Sequence, residues 1–228
     1  MRKLLLLLVL ALPALAQQPY HLELEANAAA PFPWLAKFGT VDLHVYPGGV
    51  YADTVWLNGF TKNGQSAITV MNPIGRMYVE LPIGEIASAV RHLSNNQANI
   101  EAGIAGKLVP PPLSAPMKGK VVGIDATRYR LQYGPDAWID VWTTTAIPKN
   151  PQLDTIVSQL IAAVSPSTAV SAKKIPGAPV YVELNFRRFK KLPILRLKKL
   201  SFDNEGESDN LSLGRIYMKA PLLENIWK

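Results

Sequence analysis

Polar and apolar residues alternate with a period of two through much of the first eighty positions. In 21–26, Leu22 and Leu24 oppose His21, Glu23 and Glu25; in 40–46, Val41, Leu43 and Val45 point one way and Asp42 and His44 the other. A period of two marks half-buried strands. Pro47-Gly48-Gly49 turns the chain, 50–57 returns, Asn58-Gly59 and Asn63-Gly64 read as turns, and 67–71 and 77–81 flank the turn Asn72-Pro73-Ile74-Gly75. Ile83, Ile86, Val90 and Leu93 then fall at helical spacing, which predicts an amphipathic helix over 83–95. The proline-rich stretch 107–116 reads as an extended connector.

The second half centres on a three-stranded meander over 118–124, 127–133 and 137–143. In the second run Tyr129, Leu131 and Tyr133 share one face, and Gly134-Pro135-Asp136 turns the chain into the third. That third run is apolar on both faces, Trp138 and Trp142 on one and Ile139 and Val141 on the other, so cover on both sides is expected. Asn150 before Pro151 is a helix start, and the apolar stripe Leu153, Ile156, Val157, Leu160, Ile161, Val164 is its face. Pro166 and Pro176 bound an expected loop; 180–189 and 194–202 form a last hairpin, and 211–219 follows. In 194–202, Leu195 and Leu197 have one parity and Leu200 and Phe202 the other. A β-bulge at Lys198-Lys199 is therefore predicted to leave all four buried on the same side. Many antiparallel strands with two helices predict an α+β fold, a large curved antiparallel sheet, half-barrel-like, with helices packed on one side.

The first residues alter the reading of location. Arg2 and Lys3 precede an apolar run, 4–12, that is followed by Ala14-Leu15-Ala16. This is the pattern of a secretory signal over 1–16, too short for the roughly 20 residues a membrane span requires. The expected product is a single soluble domain, 17–228, in the periplasm or secreted. Its formal charge drops from +7 to +5 on loss of Arg2 and Lys3. That balance favours an anionic membrane surface or envelope polymer as a partner over nucleic acid. The chain has no cysteine, which removes disulfides, thiol nucleophiles and thiolate metal sites.

Chemistry-bearing motifs are sparse. Gly103 to Lys107 lacks the spacing and hydroxyl residue of a phosphate loop, and no H-E-x-x-H or G-x-S-x-G occurs, so neither an enzyme nor a cofactor is expected. His44 near Asp42 and His21 near Glu23 would place two polar faces side by side, without four fixed metal ligands. The acidic 203–210 segment lacks the glycine position of an EF-hand loop and reads as a polar connection. Arg187, Arg188, Lys190, Lys191, Arg196, Lys198 and Lys199 are the densest cationic cluster, either a dock for an anionic surface or lysine protection of a sheet edge. Trp34, Trp56, Tyr78, Tyr129, Trp138 and Trp142 are the aromatic candidates for lining a ligand cavity, against an ordinary filled core.

The segment Gly123-Ile124-Asp125-Ala126-Thr127-Arg128-Tyr129, followed by Ile139-Asp140-Val141-Trp142, resembles a family of secreted bacterial domains. Those domains are similar to the periplasmic carrier and receptor of outer-membrane lipoproteins. The resemblance implies a curved antiparallel sheet closed by helices over an apolar cavity. It also implies a cysteine where this chain has Ala126, so a disulfide there is absent. The functional expectation is an extracytoplasmic, non-enzymatic protein that holds a lipid or other apolar ligand between sheet and helices. The alternative is an envelope adaptor with a filled core that binds a protein partner.

Overall fold

The computed structural model describes residues 18–26, 39–55, 57–93, 109–187, 191–202 and 205–220. The expected signal segment, Trp34 and Trp56 lie outside them. The strands are β1 (Tyr20–Ala26), β2 (Thr40–Tyr46), β3 (Gly49–Thr54), β4 (Asn58–Lys62), β5 (Ala67–Asn72), β6 (Met77–Pro82), β7 (Met117–Val121), β8 (Ile124–Gln132), β9 (Ala137–Thr144), β10 (Ala178–Phe186), β11 (Leu192–Ser201) and β12 (Met218–Lys219). A 3-10 turn, Ile83–Glu85, leads into α1 (Ile86–Leu93); α2 is Pro151–Val164, α3 Pro166–Ala172 and α4 Glu207–Asn210. All the strands belong to one open 12-stranded sheet in the order β12-β6-β5-β4-β3-β2-β1-β11-β10-β9-β8-β7, antiparallel except for the β12–β6 pair. The fold is α+β.

Register divides most of the residues between two faces, while the main core also takes in Ala126, Ile124 and Trp142 from the second. On one, Leu22, Leu43, Val45 and Val50 form the main core with Tyr20, Ile147, Val180 and Leu197, and Leu153 of α2 packs against it. Beside it Leu81, Ile83, Ile86 and Ala89 take up Ile68 and Ile156. Helices α1 and α2 therefore cover this face over β2–β6. Asn150 fixes the start of α2, its side chain accepting from the backbone N–H groups of Gln152 and Leu153, with Pro151 at the first helical position. Gln152 then donates to Thr61 Oγ1 at 2.6 Å and to the Lys62 carbonyl at 2.9 Å, which pins that end of the helix to β4.

The opposite face is covered only in part, by residues 205–220. Tyr46, Phe60 and Met71 bury against Leu211, with Tyr51, Tyr78, Leu213 and Tyr217 around them. Tyr46 donates to the Glu205 carbonyl at 2.9 Å and receives Asn210 Nδ2 at 2.6 Å; Glu207 Oε1 accepts from the Gly48 N–H at 2.6 Å. The acidic segment is thus, in its described part, a strap docked on the β2–β3 turn.

Several expectations are corrected. Asn58-Gly59 is not a turn but the start of β4, paired with Asp53 and Ala52; before it, Thr54 Oγ1 and the Leu57 backbone bond each other. Residues 118–124 are not one strand, because Val122 (φ 50) and Gly123 (φ 78) make a two-residue turn and Ile124 already belongs to β8. The 166–176 loop contains α3, capped by Ser165, whose hydroxyl accepts from the Thr168 N–H. The 107–116 connector, where described, runs along the edge of β8: Leu113 bridges Leu131 and the Ser114 N–H donates to the Arg130 carbonyl. Its prolines offer no N–H to a further strand.

The bulge is where the parity of the leucines places it. Glu23 faces Lys199 and Leu24 faces Leu197, so Lys198 is the extra residue. Leu195, Leu197 and Leu200 consequently stand opposite Ala26, Leu24 and Leu22 on the helix-covered face. Of these β11 leucines only Leu197 is fully buried, Leu195 and Leu200 being half-buried, and Phe202 does not join them; it lies beyond β11 and is exposed. Two further register shifts, at Ile194 against β10 and at Val180 against β9, concentrate irregularity in β10 and β11, and bulges bend strands.

Candidate functional site

The helix-covered face buries Leu131, Val180, Leu184 and Leu197 on β8, β10 and β11 as it does Leu43, Val45 and Val50 on β2 and β3, but one row across β8–β11 stays half-buried. Cross-strand register aligns Tyr129, Val141, Val182 and Leu195 in one row, and all four are only half-buried. The next row, Leu131, Ile139, Leu184 and Leu192, closes the end of the sheet, with Leu131 and Leu184 buried. Over this end the helical layer arrives at α3, where the Tyr133 hydroxyl meets Thr168 and Ser171 Oγ donates to the Pro111 carbonyl at 2.7 Å. Between the α2 contacts on β3–β6 and the α3 contacts near Tyr133 lies an apolar strip that the described elements do not close. Leu160 and Val170, on the two helices, are exposed as well.

The candidate aromatics do not converge on that strip. Tyr129 belongs to it. Trp138 and Trp142 stand on the opposite face, in register with Gln132 and Arg128, and Tyr78 lies in the cluster under the C-terminal strap. On this face Trp142 packs against the main core cluster and its ring lies over Gly119, and guanidinium groups add to the cover of both tryptophans. Arg130 sits 4.7 Å from the Trp138 ring centre and Arg128 5.9 Å from that of Trp142.

The same face carries a polar row not anticipated from the sequence. Arg130, Asp140 and Glu183 are opposite one another on β8, β9 and β10. Arg130 grips Asp140 with Nε–Oδ1 at 2.7 Å and Nη2–Oδ2 at 2.9 Å, and Trp138 Nε1 donates to Oδ2 at 3.3 Å. That bond to Asp140 pushes the Arg130 pKa up further. Tyr181 donates to Glu183 Oε2 at 2.9 Å; burial first, then the Glu183 carboxylate, pushes the phenol up to about 12. Lys191 stands 3.7 Å from Glu183. The cations and carboxylates balance, which suits a structural network more than a reactive pair. The one sequence signal was a lone aspartate inside the apolar run 138–142.

His21 and His44 do lie side by side. Their rings stack at 4.4 Å and 17°, and His21 Nε2 is 3.0 Å from Asp42 Oδ1. Parallel stacked rings direct their nitrogens outward in their own planes, and no metal-capable group of three or more such ligands occurs among the described residues. Asp53 nearby has its pKa raised, chiefly by burial and then by Asp42.

Of the cationic cluster, Arg188 and Lys190 lie outside the described residues. The rest face carboxylates: Arg187 with Asp136 at 3.7 Å, Lys191 with Glu183, Lys198 with Glu25 at 2.9 Å, while Arg196 stands opposite Glu25 and Lys199 opposite Glu23. Edge protection is not the reason for these charges, since β11 is flanked by β1 and β10.

No family model matches the chain, and no curated protein matches it. Among solved structures it is similar to an uncharacterized conserved protein from Thermus thermophilus, with a TM-score of 0.48 and 7% identity over 90% of each chain.

Proposed function

We propose that this is an extracytoplasmic binding protein that holds an apolar ligand, of the lipid class, between its sheet and its helical layer without transforming it. The observation that carries the proposal is the half-buried row Tyr129, Val141, Val182 and Leu195 on the face that α2 and α3 approach. A folded chain gains by burying apolar surface, at roughly 25 cal/mol per Å². A side-by-side strip of apolar side chains left partly open beneath a helical layer is therefore suited to gain that free energy from a ligand. The signal-like start suits an extracytoplasmic address. Among the described residues no helix is long and apolar enough to cross a membrane.

Native mass spectrometry of the protein purified from its host tests the reading. A co-purifying lipid that is lost from Val182→Asp, with circular dichroism unchanged, is the expected result. Protein free of any lipid, and unable to take up a fluorescent acyl probe, overturns it.

A further inference from the structure

One step along the strands from the apolar row, the same face becomes polar. Lys118, Thr127 and Thr143 are aligned in register on β7, β8 and β9. They stand two residues from Tyr129 and Val141, about 7 Å away at strand spacing. A cavity of about 380 Å³ lies over them, and Tyr129 lines it together with Thr145 and Pro176. Tyr129 is thus shared by the polar cavity and the apolar row. The row itself crosses four strands, about 14 Å at the usual interstrand distance.

The cavity wall carries one cation, Lys118, and one carboxylate, Asp125. Asp125 is on its wall, but its carboxylate is turned to Lys120 at 3.6 Å. Lys118 forms no ion pair among the described residues. Thr144 supplies rigidity: its hydroxyl donates to the Asp125 carbonyl at 2.7 Å and accepts the Ala146 N–H at 3.1 Å, tying β9 to β8 at this end. An ammonium group beside hydroxyls is a set of donors suited to anionic oxygens.

We infer that the protein's ligand is a single-chain amphiphile with an anionic oxygen headgroup, carboxylate or phosphate. The headgroup sits in the cavity at Lys118, Thr127 and Thr143, and the chain runs from Tyr129 across Val141 and Val182 to Leu195. This rests on the binding reading above and adds the ligand's polarity and orientation.

The test is displacement of a polarity-sensitive apolar fluorophore from the purified protein by dodecanoate, by its uncharged alcohol dodecanol, and by inorganic phosphate. Each is measured with the unaltered chain, Lys118→Gln and Lys120→Gln. The expected result is that dodecanoate displaces at about tenfold lower concentration than dodecanol, the worth of one partly exposed charged hydrogen bond. Lys118→Gln abolishes the difference and Lys120→Gln, whose lysine is engaged by Asp125, leaves it. Equal displacement by acid and alcohol, or a preference that survives Lys118→Gln, overturns the headgroup site while the apolar strip stands. Failure of both amphiphiles overturns the binding reading and this inference with it. Phosphate bound through Lys118 without competing with dodecanoate shows a free-anion site and breaks the proposed link between headgroup and chain.

Discussion

Replacing Arg130 with methionine probes the largest electrostatic commitment in the sheet. The Asp140 side chain is 3% exposed and the Arg130 side chain 32%, so the carboxylate is dry and its partner partly wet. Methionine keeps an aliphatic stem over Trp138 but withdraws two of the three donors that Asp140 has. Glu183 is directly opposite Asp140 on β10, so the variant also leaves two neighbouring buried carboxylates with Lys191 as the nearest paired cation. Breaking a buried pair costs about 3–5 kcal/mol. Solvent access to the guanidinium reduces this to about 2–4 kcal/mol here. Urea denaturation followed by circular dichroism measures it. Arg130→Lys, with one ammonium in place of the fork, is expected to lose about 1–2 kcal/mol. The double variant Arg130→Met with Asp140→Leu is expected to recover most of the loss, because no charge is then left unpaired. A loss below about 1 kcal/mol for Arg130→Met refutes the reasoning, since that is the range of a solvent-screened surface pair.

Three other outcomes follow from particular contacts. Deleting Lys198 removes the bulge and turns either Leu195 and Leu197 or Leu200 away from the core. The expected cost is about 1.5–6 kcal/mol at roughly 1.5–3 per displaced leucine, against under about 1 for Lys198→Ala, both read from urea midpoints. Gly119→Ala places a methyl 2.5 and 2.8 Å from two ring atoms of Trp142, so a loss of about 1–3 kcal/mol is expected, and Trp142→Leu in the same chain removes it. Tyr20 and Tyr51 are both pushed up to about 12, mainly by burial, from an ordinary value of 10.0. Raised folded-state values mean that their contribution is intact below pH about 10 and lost as pH climbs toward about 12. Tyrosinate absorbance and circular dichroism are expected to change together in that window, and Tyr20→Phe to move the transition to higher pH.

The local grammar of the chain was readable; its long-range order was not. Alternation located β1 and β2, the turn Asn72-Pro73-Ile74-Gly75 located β5 and β6, and the parity clash among Leu195, Leu197 and Leu200 located the bulge, because each is decided by residues a few positions apart. β4 escaped because Asn58-Gly59 carries a turn signature that the β3–β4 pairing overrides. The side on which the tryptophans stand depends on which face the helices choose. A period of two separates faces without labelling them. The Arg130–Asp140–Glu183 row exists only once β8, β9 and β10 are in register, so no linear spacing announces it. The same holds for Lys118, Thr127 and Thr143, three unremarkable polar residues until pairing aligns them.

The placement of β1 between β2 and β11 has a kinetic consequence. His21 pairs with Ser201, about 180 residues later, so the seam joining the two halves of the sheet closes only after nearly the whole chain is present. β1 to β6 zip together hairpin by hairpin through neighbours in sequence, at little loop-closure cost. Until β11 arrives, the other side of β1 remains an open row of N–H and C=O groups beside Leu22 and Leu24. A chain emerging from its N-terminus, through a ribosome or across a membrane, thus carries an adhesive edge for most of its synthesis. A chain cut before residue 192 never covers it. Premature termination would yield an aggregating half-sheet in place of a smaller stable domain, and a holding chaperone on the unfinished chain would find its target at that edge.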